Sequence, residues 1–112
     1  MKKFMVHYLI AHEELEKMQA ETKPEDWKES MDAWNKWLRE HKDIFVDNGT
    51  MLGKTKRVTT SGVEDVHNDL TGYAIIEAES HEAAAKIFEG QPHLQMPGAS
   101  IEIMTMTEMS ET

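Results

Sequence analysis

The sequence predicts an α+β fold of the split βαβ kind, with two helices covering one face of a mixed or antiparallel sheet. Three observations carry the prediction. The segment Phe4–Ile10 is apolar on both of its alternating faces, and an amphipathic segment beginning near Thr22 carries all three tryptophans. The elements also follow in the order strand, helix, short strand with a hairpin, strand, helix, strand.

In the first strand Phe4, Val6, Tyr8 and Ile10 share one side and Met5, His7 and Leu9 the other, the pattern of a strand buried from both sides. A polar connector follows. Thr22-Lys-Pro-Glu25 then opens a helix: Thr22 caps the free N–H groups, Pro24 suits the first turn and Glu25 completes a capping box. Trp27, Met31, Trp34, Leu38 and Phe45 recur at helical spacing with His41 inside the stripe and Trp37 at its edge, so the stripe is expected to face the core. Glu25, Asp26 and Glu29 early and Lys36, Arg39 and Lys42 late match the helix dipole, and Asp47-Asn48-Gly49 stops the helix.

A short strand around Met51-Leu52 leads to a polar hairpin, Lys56–Thr60 turning at Ser61-Gly62 into Val63–Asn68. Residues 71–78 form the clearest later strand. Ser80 is placed to cap a second helix running through Phe88, with Gly90 ending it and Ala84, Ile87 and Phe88 on its buried face. Residues 99–107 complete the sheet, alternating Ile101 and Ile103 with Glu102 and Met104. Residues 1–107 are thus expected to be a single domain and residues 108–112 a frayed tail. Two helices cover only one sheet face, so the open face is expected to meet a second subunit, a homodimer.

Charge narrows the classes of partner. Lysine and arginine total 12 against 21 aspartates and glutamates, a net charge of −9 that disfavours nucleic acid and anionic membranes. The chain has no cysteine, so disulfides and thiolate chemistry are absent. No apolar run approaches the ~20 residues needed to cross a bilayer. Lys2-Lys3 and the run containing His7 read as a strand without a cleavage site, and the expected location is the cytoplasm.

The pieces Val46-Asp-Asn-Gly49 with Leu52-Gly53, then Thr71-Gly-Tyr-Ala-Ile-Ile-Glu-Ala-Glu-Ser80, then Gly90-Gln-Pro-His-Leu-Gln-Met-Pro-Gly-Ala-Ser-Ile-Glu-Ile103 resemble YCII-related proteins over nearly the whole chain. The resemblance implies a ferredoxin-like domain dimerising as an α+β barrel. It also implies a protein that binds or transforms a small aromatic or oxygenated metabolite in a pocket near that barrel, one branch of the family removing chloride from chlorinated hydroxyquinols. Some members carry a helix histidine and an aspartate in that pocket. Gln91 stands here at the aspartate's position, and the helix histidine has no counterpart, His41 coming late in the helix. The alternative reading is a non-catalytic dimeric ligand-binding or interaction module, and whether the chain is an enzyme stays open.

His93, on the loop from the second helix to the last strand, is the candidate catalytic group, read either as a proton donor or ligand contact or as the residue that fixes a proline-bounded turn. Gln91, His41, Trp37, Tyr73 and Met96 are the candidate ligand-binding residues. Trp37 is the tryptophan expected to line a cavity, the other two belonging to the core, and Met96 an adaptable apolar contact. His41 and His7 are equally expected as structural histidines at a core edge and in the first strand. No histidine pair has metal-ligand spacing and no glycine-rich loop opens a helix after a strand, so no metal or nucleotide cofactor is implied.

Overall fold

The computed structural model describes residues 1–107; the tail expected to fray, residues 108–112, lies outside the described residues. Elements follow as β1 (Lys2–Ile10), α1 (His12–Glu21), α2 (Pro24–Glu40), β2 (Phe45–Asp47), β3 (Thr55–Thr59), β4 (Gly62–Val66), β5 (Leu70–Ala78), α3 (His81–Ile87) and β6 (Ala99–Thr105). Strands β2, β5, β1 and β6 form one four-stranded sheet in that order, every pairing antiparallel, while β3 and β4 form a separate hairpin. This is the ferredoxin-like α+β arrangement that the element order predicts, with an inserted hairpin and one additional helix.

Strand alternation decides what the sheet buries. Phe4, Val6, Tyr8 and Ile10 of β1 and Ala74, Ile76 and Ala78 of β5 are buried on one face. Trp37, Ala84 and Phe88 complete that core from the helices, with Phe45 of β2 packing beside them. Trp37 lies 5.0 Å from Phe88 with the rings tilted by 44° and meets Phe45 edge-on at 5.9 Å. The expected strand 71–78 and final strand stand. So does the Ser80 cap, whose Oγ accepts the N–H of Ala83 at 3.0 Å.

Four local expectations need correction. The polar connector is in fact α1, a helix without a buried residue or a side-chain cap. The cap of α2 is Lys23, with no side-chain bond, and Thr22 instead ends α1, so the capping box does not form. Helix α2 stops at Glu40 with His41 as its C-cap, and Phe45 belongs to β2 rather than to the helical stripe. Finally, Trp27 and Met31 are 41% and 54% exposed, whereas Trp37, placed at the stripe's edge by spacing, is the buried tryptophan. The helix is turned so that the Trp37 side meets the sheet, because α1 and a cleft lie against the Trp27 side.

The other sheet face carries Met5, His7 and Leu9 opposite Tyr73, Ile75, Glu102 and Met104, by the strand register. No helix covers it. The molecule is 19 Å thin in one direction, the depth of one sheet and one helix layer.

Gly49 fixes how β2 meets β5. Its φ is +72°, and a Cβ there would lie 1.7 Å from the Tyr73 carbonyl oxygen. Gly53 has open space around its Cα. Gly49→Ala is expected to lower stability by at least about 2 kcal/mol in urea denaturation, and Gly53→Ala to stay within about 0.5 kcal/mol of the wild type.

Candidate functional site

The site begins as an irregularity in the sheet. The β1–β5 register shifts between Tyr8 and Leu9. A carbonyl at such a place looks for a donor outside the ladder, and the Thr71 hydroxyl donates to Tyr8 O at 3.0 Å. On the β6 side, where Leu9 pairs with Ser100, His93 Nε2 lies 2.8 Å from Leu9 O. A carbonyl oxygen only accepts, so His93 is the Nε2–H tautomer and its Nδ1 carries the lone pair. Gly72, inside the strand pattern, is the sequence signal for this irregularity.

The chain holds His93 there with a short 3-10 turn, Pro92–Gln95. Gln91 caps it, its Oε1 accepting the His93 N–H, and Pro92 suits the first helical position. Gln91 and His93 are 1% and 2% exposed. Gln91 Nε2 has no hydrogen-bond partner among the described residues. Gly98, with φ +72°, lets the following chain pass against Glu14 and Ala11, where a Cβ would come within 2.9 Å of Glu14 Cγ.

Around the imidazole sits an aromatic box. Tyr8 lies at 5.4 Å and Trp34 at 6.1 Å, both edge-on to His93, and Tyr8 and Trp34 are 4.9 Å apart. Burial pushes the Tyr8 phenol well above its ordinary range, so it stays neutral. Burial also lowers the His93 pKa from the usual 6.5, an effect partly opposed by the backbone of Leu9 and Ser100. The imidazole is therefore mainly neutral at physiological pH.

A cleft of about 670 Å³ opens over this group between α1, α2 and the Pro92–Gln95 turn. Its apolar walls are Met18, Trp27, Ala33, Trp34, Pro92, Met96 and Pro97, with His93 among them. Glu14, Lys17 and Glu21 from α1 and Asp26, Glu29 and Ser30 from α2 form the polar rim. Among the described residues no group of three or more histidines or carboxylates is arranged to hold a metal. No helix of the described residues is long and apolar enough to cross a membrane.

Of the residues singled out from sequence, the structure brings His93 and Met96 into the cleft and puts Gln91 sealed beneath the turn. Three lie elsewhere. Trp37 is core and stacks on His41 at 4.2 Å, His41 Nδ1 lying 2.8 Å from Trp37 O. Tyr73 is on the open sheet face, its hydroxyl 3.5 Å from Asp47. Trp27 and Trp34 line the cleft in place of Trp37, and Trp34 also packs against the core as its spacing predicts. Spacing assigned Trp27 to the core because α1, which forms the opposite wall, was not visible in the sequence pattern.

No protein-family model and no curated protein matches the sequence. Among solved structures the fold is similar to that of 5-chloro-2-hydroxyhydroquinone dehydrochlorinase from Burkholderia phenoliruptrix AC1100, in complex with 2,5-dihydroxybenzoquinone. The TM-score is 0.50 at 15% identity, over 89% of this chain and 90% of that one. At that identity the likeness is one of fold.

The buried imidazole gives the fold a pH dependence of known sign. Because the folded pKa lies below the unfolded 6.5, the unfolded chain takes up the proton first as pH falls. Stability is intact above the unfolded value and is lost below it, down to the folded value, at up to about 1.4 kcal/mol per pH unit. Urea unfolding at stepped pH is expected to show this slope below the ordinary imidazole range, and His93→Gln, which keeps a donor for Leu9 O, to remove that component.

Proposed function

We propose that this chain is a YCII-like homodimer that binds a small aromatic or oxygenated compound in the cleft over His93. One observation carries the reading: a cleft of about 670 Å³ walled by Trp27, Trp34 and Met96 has a neutral histidine, His93, in its lining. An apolar cleft with one polar group directed at it is what a small-ligand site requires. In this reading the ligand's ring lies against Trp27, Trp34 and Met96 and its polar group meets the imidazole of His93. The structural neighbour's ligand, dihydroxybenzoquinone, is a small oxygenated ring of the same class.

Binding without turnover is favoured over catalysis by the partner of His93. A backbone carbonyl, not a carboxylate, holds Nε2, so an imidazolium formed by accepting a substrate proton gains no ion pair. Gln91, the side chain nearest in sequence, is a neutral amide already bonded to the turn.

Two features support the dimer. The uncovered sheet face, with strands about 4.8 Å apart and roughly 25 Å long, offers on the order of 500 Å², short of the ~800 Å² per partner of a standard interface. The β3–β4 hairpin supplies more surface: its contacts are almost wholly internal, and Val58 and Val63, a cross-strand pair, are 75% and 65% exposed. A two-stranded hairpin alone is marginal in water, so contact with a second copy would steady it.

Isothermal titration with hydroquinone is expected to give saturable binding that weakens about tenfold or more in His93→Ala, the loss of one buried hydrogen bond, and is unchanged in Tyr73→Phe. No binding, or equal binding to His93→Ala, contradicts the reading. Sedimentation at micromolar concentration is expected to give a dimer, and Met104→Glu, at a site 55% exposed in the single chain, to give a folded monomer. A wild-type monomer would refute the dimer.

A further inference from the structure

Resting on the pocket proposed above, we infer that the cleft selects cationic ligands, arylalkylamines in their ammonium form, over neutral and anionic compounds of the same shape. The rim charge is one-sided. Glu14 sits 4.0 Å from Lys17 and is offset by it, but Glu21, Asp26 and Glu29 have no cation recorded against them among the described residues. These three carboxylates come from two different helices and converge on one opening, so their potentials add where a ligand enters.

Acidic residues on a surface are ordinarily just solvated, and two features distinguish these. The cleft behind them is walled by the indoles of Trp27 and Trp34, whose faces attract cations. Furthermore, among the described residues no lysine or arginine other than Lys17 lines the cleft to receive a carboxylate or phosphate. An anion entering would face the rim's charge without a compensating donor pair, while an ammonium ion finds carboxylates and aromatic faces in succession.

The choice between a binding protein for oxygenated rings and one for amines is therefore made by the rim, not by the walls. Helix α1 contributes Glu21 and the Glu14–Lys17 pair, so the helix that the sequence pattern hid supplies part of the selectivity.

Calorimetric titration with phenethylammonium, phenethyl alcohol and phenylpropionate, alike in shape and different in charge, tests this. The cation is expected to bind about tenfold or more tightly than the anion, the alcohol falling between them, with the ratio shrinking as salt is raised. Glu21→Gln/Asp26→Asn/Glu29→Gln is expected to bring the ratio close to one. Glu13→Gln/Glu16→Gln, which lowers net charge away from the cleft, is expected to leave it unchanged. Equal binding of all three compounds, or a ratio that follows net charge in both variants, overturns the selectivity while leaving the pocket. Failure of all three to bind removes the pocket as well.

Discussion

Much of this molecule's organisation follows from one hydrogen bond, His93 Nε2–H to the carbonyl of Leu9. Leu9 stays in register with Ser100 of β6, near the end of that ladder, so the imidazole adds a donor from outside the sheet to a carbonyl at its rim. A carbonyl has two lone pairs, and a hydrogen bond of this kind contributes about 0.5–1.5 kcal/mol, which ties the chain that follows α3 to the end of β1. The tie is made through a proline-bounded turn capped by Gln91. The bond fixes the turn, the tautomer of the imidazole and its neutrality, and with them the floor of the cleft.

The two faces of β1 divide the protein's tasks. Phe4, Val6 and Tyr8 carry the helices, and Tyr8 continues outward to Trp34 and His93, so core and cleft share an aromatic wall. Met5, His7 and Leu9 carry nothing within the chain. His7 Nδ1 is sealed there without a partner among the described residues, between Tyr73 and Glu102 in register. The same alternation that makes a stable layer on one side leaves an unfinished one on the other.

The strands were legible in the sequence because period-two patterns survive wherever one face is buried: β1, β5 and β6 fall close to where alternation puts them. The hairpin was legible from its Ser61-Gly62 turn, and α3 from Ser80. Helix α1 was not, since it buries no residue and begins at Ala11 without a capping side chain, leaving no stripe and no start signal. The missing helix explains the misplaced Trp27. With nothing known to stand opposite it, helical spacing meant core, as it does in part for Trp34, and Trp37 appeared marginal. His93 was visible as a loop histidine beside proline, but its partner is a backbone carbonyl 84 positions away, which no side-chain motif encodes.

The most direct measurement is the protonation and tautomer of His93 by nitrogen-15 NMR of the imidazole, with His93→Gln to assign the signals. The account predicts a neutral ring protonated at Nε2, persisting as pH falls through the ordinary imidazole value of 6.5. A ring protonated at Nδ1, or one that titrates at or above that value, would contradict it.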